Sequence, residues 1–75
     1  NAPLSLLGYM VVDEGTALSP VLEVIEQPLQ ILLRLEMQGK EVLIPLHETT
    51  LIKIDHKNKQ VNVSLPDGLL EVYLT

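Results

Sequence analysis

The fold of this chain can be worked out from one stretch, QILLRLEMQGKEVLIPL, residues 30 to 46. In its first half, apolar side chains recur at every second position, the period of a strand that turns one face to a core and the other to water. These apolar positions are Ile31, Leu33, Leu35 and Met37. Gln38-Gly39-Lys40 then supplies a turn, since glycine adopts positive φ without strain. Glu41 to Leu46 predicts the returning strand, so the stretch predicts a β-hairpin.

Short runs with strand character fill most of the remaining chain. They are rich in β-branched residues and are separated by turn residues such as Gly and Asn. The runs are Gly8 to Asp13, Val21 to Glu26, Leu51 to Asp55 and Val61 to Leu65. Leu46 to Thr50 breaks the alternation, which predicts a bend or a single helical turn there. No window carries a convincing helical stripe, so the sequence predicts about six short strands.

A sheet of this size leaves two long edges open unless it curls, and closure into a barrel removes both. Pro20 and Pro45 lie within predicted strands; because proline donates no ladder hydrogen bond, they predict edges, strand starts or bulges. A chain of 75 residues has no room for a second core. The predicted fold class is therefore all-β, a small barrel of about six short antiparallel strands in one domain, residues 1–75.

Charge and composition exclude several classes of function. Ten carboxylates against five Lys and Arg give a net charge of −5, the opposite of what phosphate contacts require, so direct nucleic-acid binding is not expected. Two aromatic residues, Tyr9 and Tyr73, are too few for base stacking. No apolar run is long enough to cross a bilayer, and the absence of cysteine is typical of a cytosolic protein. An acidic chain instead favours a basic partner.

No arrangement of residues predicts catalysis, a cofactor or a metal site. Glu23 and Glu26, three apart on a strand, point to opposite faces and cannot converge on one substrate. His47 and His56 lie in different connections without ligand spacing, and we expect both to be solvated turn residues. The sequence therefore predicts a protein that is not an enzyme.

Apolar residues are in excess at positions expected to face water. Leu32 lies on the polar side of its strand, and Leu43 lies opposite Val42 and Ile44. The segment after Gly68 is apolar almost to its end. Two interpretations stay open: the tail covers an open end of the barrel as part of the core, or these side chains form a docking patch for a protein partner.

The order of these signals resembles a known domain. Leu7 to Asp13, the Ile44-Pro45 element, the IKID run at 52–55 and the LPDGLL run at 65–70 together resemble the carboxy-terminal PRC-barrel domain of the ribosome maturation factor RimM. The resemblance extends from about Leu6 to Leu70 and is most specific in its last three elements. Two positions depart from the family pattern, because Leu18-Ser19 stands where that family has a Leu-Gly step and Leu46 where it commonly has Phe.

The sequence begins Asn1-Ala2-Pro3 without an initiator methionine, so we expect a fragment of a longer protein, with Asn1-Ala2 as a candidate vector-derived remnant. In that family an amino-terminal β-barrel and an aromatic pair precede this domain. The implied function is a non-catalytic, cytoplasmic ribosome assembly factor that needs no cofactor. Such a factor binds small-subunit ribosomal protein nineteen and the 30S subunit, and it assists 16S rRNA processing and maturation of the 30S head. The alternative is a free-standing or reaction-centre-type PRC-barrel scaffold.

A docking surface is expected near the two ends of the domain, where the rest of a longer protein and a partner must approach. Pro66-Asp67-Gly68 predicts a turn after the last strand, and the segment beyond it is expected to return across the barrel. The oligomeric state stays open. The residues predicted to lie near the docking surface are Leu6, Gly8, Pro66, Gly68 and Leu69.

Overall fold

The structure, a computed structural model, describes residues 6–75. Within that range seven strands precede one short helix, which confirms the all-β class. The strands are β1 Met10–Asp13, β2 Thr16–Pro20, β3 Glu23–Gln27, β4 Gln30–Met37, β5 Lys40–Leu46, β6 Leu51–Asp55 and β7 Gln60–Val63, and the helix is α1 Leu69–Leu74.

The strands form two sheets, with the orders β2-β1-β7-β6 and β3-β4-β5. Among the described residues no backbone ladder joins the two sheets, so the predicted closure into one barrel is not complete. The chain passes between them at a sharp corner. The Val21 N–H donates to the carbonyl of Tyr9, the residue before β1 of the first sheet (2.8 Å), whereas the Leu22 N–H donates to the Arg34 carbonyl in the second (2.8 Å).

Both sheets turn their apolar faces to one core. Buried side chains come from β1, β3, β4, β5 and β7, and the alternation predicted for β4 is confirmed because Leu33 and Leu35 are fully buried. Aliphatic side chains packed this closely supply most of the free energy that stabilises such a small domain. The side chains with no exposed surface are Val11, Leu33, Leu35, Val42, Ile44, Val61 and Val63.

The prediction of antiparallel strands alone was wrong for one pair. β1 and β7 run parallel, with Met10 opposite Gln60 and Asp13 opposite Val63. A parallel pair needs a long connection rather than a tight turn, and β2 to β6 supply that connection. Alternation within a strand does not report the direction of its neighbour, so the sequence pattern could not reveal this pairing.

Strand β2 was also missed, and the strand predicted from Val21 begins two residues later as β3. β2 is a largely exposed edge strand, so it lacks an inward apolar alternation. Leu18 has no partner on β1, because Val11 pairs with Ser19 and Val12 with Ala17, which makes a bulge. The Ser19 hydroxyl donates to the Glu36 carbonyl on β4 (2.8 Å) and so ties the two sheets together.

The two strand prolines lie on edge strands, as expected for a residue that has no N–H to donate. Pro20 ends β2 and Pro45 lies in β5, and both are edge strands of their sheets. After β5 the predicted single turn is present, since the His47 carbonyl accepts from the N–H groups of Thr50 (2.9 Å) and Leu51 (2.8 Å). Thr50 is 4% exposed, and its hydroxyl donates to the Pro45 carbonyl (2.7 Å) and accepts from the His47 N–H (3.2 Å).

We expect Thr50→Val to lower the free energy of unfolding by about 1–3 kcal/mol, because it removes the partner of two backbone groups at a buried corner. Urea denaturation followed by circular dichroism measures the loss. Thr50→Ser, which keeps the hydroxyl and removes only a methyl group, is the control and is expected to lose less. If the serine variant is the less stable of the two, packing rather than hydrogen bonding holds this corner.

Candidate partner-binding groove

The turn predicted at Pro66-Asp67-Gly68 is present after β7, and it leads into α1. Gly68 has φ +86° and is the N-cap of α1. A Cβ there would meet no atom within 4 Å, so glycine is needed for its backbone conformation and not for space. The Leu69 N–H donates to the Pro66 carbonyl (3.2 Å), which closes the turn. The helix was not predicted because six residues are too few for a helical stripe.

Helix α1 lies partly in the core and partly at the surface. Its inward side chains pack against the core, whereas Val72 is 76% exposed. Lys40 Nζ lies 3.2 Å from the Leu74 carbonyl and 3.5 Å from that of Thr75, so a cation sits at the negative end of the helix. The core interpretation of the tail therefore holds for one side of it. The packed side chains are Leu69, Leu70, Tyr73 and Leu74.

An open groove of about 210 Å³ lies between the end of β1, the turn and α1. Three of its lining residues, Asp13, Asp67 and Glu71, are carboxylates, and none is a lysine or arginine. The Oδ1 atom of Asp13 accepts a hydrogen bond from the Leu65 N–H (3.1 Å), which fixes that side chain in place. Asp67 and Glu71 are exposed. The remaining lining residues are Leu65, Pro66, Gly68 and Leu70.

The groove lies at the acidic end of the domain. Glu14 accepts a hydrogen bond from the Ser64 hydroxyl and so holds a further carboxylate near β1's end. The parallel pairing puts the turn before β7, which carries Lys57 and Lys59, at the opposite end. There the Lys59 ammonium lies 5.6 Å from the centroid of the Tyr9 ring. A cationic partner is therefore attracted to the groove end of the domain.

Two of the five predicted docking residues line this groove, and a third is next to it in the chain. Pro66 and Gly68 line it, and Leu69 follows as the first residue of α1, partly buried against the core. Leu6 is 4% exposed and belongs to the core.

Gly8 lies at the other end of the β1–β7 pair. Its N–H donates to the Val21 carbonyl (2.9 Å), while the Val21 N–H donates to the Tyr9 carbonyl, so two residues oppose one. With φ +84° at Gly8, this is a bulge of the type that requires glycine. The docking role of all five residues stays a prediction. In the structure, Leu6 belongs to the core and Gly8 provides a backbone conformation with positive φ.

Five residues that line the groove were not among the predicted docking residues: Asp13, Leu65, Asp67, Leu70 and Glu71. Glu71 lies in the first turn of α1, so recognition of the helix would have placed it close to the turn that carries Asp67. Asp13 offered no such signal. It reaches the groove only through the parallel pairing of β1 with β7.

The other residues considered from the sequence lie apart. His47 and His56 are exposed, as predicted, although the Tyr9 hydroxyl lies 2.7 Å from His56 Nδ1. Glu23 forms an ion pair with Arg34 (2.8 Å). Within residues 6–75 no three His, Asp or Glu side chains are placed to share a metal ion, which includes the groove carboxylates. In the same range no helix has the length and apolar character needed to cross a membrane.

Comparison with known proteins gives a consistent family. Residues 4–69 match the family model described as the RimM PRC barrel domain. The ribosome maturation factor RimM of Parabacteroides distasonis is 36% identical over 69 residues, which cover 91% of this chain and 40% of that protein. The same factor of Christiangramia forsetii is 34% identical over 70 residues, which cover 92% and 40%.

A solved structure shows the same fold. The crystal structure of a 16S ribosomal RNA processing protein, RimM, from Pseudomonas aeruginosa superposes with a TM-score of 0.76 at 19% identity, covering 88% of this chain and 44% of that one. The chain spans about two fifths of the length of the curated relatives that it matches. The family match ends at Leu69, where α1 begins.

Proposed function

This chain belongs to the family of RimM PRC barrel domains, and from that membership we propose that it acts in ribosome maturation by binding small-subunit ribosomal protein nineteen at the acidic groove. The relatives are named ribosome maturation factors, and the solved relative is described as a 16S ribosomal RNA processing protein. The proposed role is non-catalytic and cytoplasmic. By holding one ribosomal protein, the domain assists 16S rRNA processing and maturation of the 30S head.

One observation carries this proposal: three carboxylates share the groove with apolar side chains. Ribosomal proteins are basic because they contact RNA phosphates, so an acidic groove attracts them over a distance and raises the association rate. The partly exposed side chain of Leu70 at the same groove offers an apolar anchor that charge alone does not provide. The domain's own charge of −5 adds to the attraction.

The groove has the form of a binding site for a surface side chain. It is open to solvent. Asp67 and Glu71, both exposed, are placed to pair with a lysine or arginine of the partner. The scaffold alternative depended on the barrel fold alone, whereas the family match is to the RimM domain.

The double variant Asp67→Asn/Glu71→Gln is expected to weaken binding of purified ribosomal protein nineteen about tenfold. Each exposed charge pair contributes about 0.5–1 kcal/mol, and 1.4 kcal/mol corresponds to a factor of ten. Titration calorimetry at two salt concentrations measures this change, with weaker binding expected at the higher salt for the parent chain and a smaller salt effect for the variant.

Glu26→Gln/Glu48→Gln is the matched control, since it removes the same charge from exposed positions outside the groove. It is expected to bind nearly as tightly as the parent chain. Equal weakening by the two double variants would show that net charge, and not the groove, governs the affinity. No binding by the parent chain would refute the proposed function.

A further inference from the structure

The sheet β3-β4-β5 has a second face, turned away from the core, which we call the outer face. Side chains of one parity along each strand are buried, so those of the other parity lie on this face. The strand registers align them in rows that run across the sheet. The rows are Gln27 with Gln30, then Ile25 with Leu32 and Pro45, then Glu23 with Arg34 and Leu43, then Glu36 with Glu41.

The middle of the outer face is apolar. Ile25, Leu32, Leu43 and Pro45 are each partly exposed and lie in two adjacent rows. Within residues 6–75, the side chains of Ile25, Leu32 and Leu43 neither belong to the core nor pack against it. A sheet with one solvated face ordinarily carries polar residues on that face. The fold therefore does not account for this patch.

One end of the outer face is negatively charged. Glu36 and Glu41 lie opposite each other on β4 and β5, and like charges at opposed positions are unfavourable. The neighbouring cation, Arg34, donates from Nε to Glu23 (2.8 Å), in the one ion pair found among residues 6–75. Three glutamates and one arginine leave the face with two net negative charges.

We propose that the outer face is a second docking surface, and that its occupant is a cationic segment of a partner protein. An aliphatic or aromatic side chain of that segment covers the apolar patch, and a lysine or arginine next to it pairs with Glu36 and Glu41. The partner's positive charge then offsets the repulsion between Glu36 and Glu41. A second copy of this chain fits less well, because each copy carries a net charge of −5 and would bring further carboxylates to the pair.

This surface is separate from the groove. The groove is formed by β1, α1 and the turn between β7 and α1, whereas the outer face belongs to the other sheet. The identity of the partner rests on the proposed function, so ribosomal protein nineteen is the probe. Two contacts of this kind on one partner strengthen binding more than either alone.

Two variants test the two halves of the surface by titration calorimetry. Leu32→Thr/Leu43→Thr removes the apolar contact while keeping residues that favour strands, and it is expected to weaken binding about tenfold with an unchanged salt dependence. Glu36→Gln/Glu41→Gln is expected to weaken binding about fivefold and to reduce the salt dependence. Because this variant removes the repulsion between two like charges, its thermal midpoint should be no lower than that of the parent chain.

The controls separate this inference from the proposed function. Leu29→Thr changes an apolar residue that is 98% exposed in the β3–β4 turn, outside the patch, and should bind as the parent does. If both outer-face variants keep parental affinity while the groove variant weakens, the second surface is refuted and the groove stands. If the parent chain does not bind, both the proposed function and the second docking surface are refuted. If the threonine variant fails to fold, the glutamine variant gives the answer.

Sedimentation of the unliganded chain checks the competing occupant. The parent chain is expected to be a monomer at the concentrations used for calorimetry. A dimer that dissociates in Leu32→Thr/Leu43→Thr would assign the outer face to a second copy and overturn the proposal.

Discussion

Leu33→Ala is expected to remove a large share of the stability of this domain, whereas Leu32→Ala, one residue earlier, is expected to remove little. Leu33 has no exposed surface and lies at the centre of β4 in the core. Truncation of such a leucine costs about 2–5 kcal/mol, and a domain of 75 residues is stabilised by about 4–11 kcal/mol in total. Leu32 is partly exposed outside the core, so its loss should cost about 1 kcal/mol or less.

Urea denaturation of the two variants, followed by circular dichroism, measures this difference. The pair is well matched because both changes remove the same atoms from the same strand and differ only in the face of the sheet. Similar losses at the two positions would mean that the outer face is packed as tightly as the core. That outcome would also count against a free docking patch around Leu32.

Removal of residues 69–75 is expected to lower the free energy of unfolding by about 3–5 kcal/mol. Helix α1 packs on β5 and places four partly buried apolar side chains against the core. Burial of about half of each such side chain contributes about 1 kcal/mol. A chain ending at Gly68 also loses the carbonyl partners of Lys40, although this contact is exposed and contributes little.

Val72→Ser is the control for the truncation, since Val72 is exposed and should change stability by about 0.5 kcal/mol or less. Chemical denaturation of both variants against the parent chain gives the comparison. A truncated chain as stable as the parent would show that α1 contributes nothing to the core, and the apolar tail would then need a partner to account for it.

Local patterns were enough to predict most of the strands. β4 and β7 were found because a strand with one buried face alternates with period two, and that signal needs no knowledge of the rest of the chain. The turn at Pro66 to Gly68 was likewise predicted, because proline and glycine restrict or extend φ within their own residues. The order of these short signals was also sufficient to recognise the family.

Two elements escaped because their local signal is weak. β2 is an exposed edge strand with a bulge at Leu18, so it has no regular apolar alternation. α1 has six residues, fewer than two turns, which is too short for a stripe to stand out. Both were placed by packing and pairing with other parts of the chain, since β2 pairs with β1 and α1 packs on β5.

The groove shows where local reasoning reaches its limit. Pro66 and Gly68 were selected because they lie near an end of the domain, and both line the groove. Asp13 lies more than fifty positions away in the chain and joins them because β1 runs parallel to β7. A strand's alternation states which side chains face the core, but it does not state which strand lies alongside or in which direction. Long-range pairing brought Asp13 to Asp67 and Glu71, since strand partners are selected by the packing of the whole core.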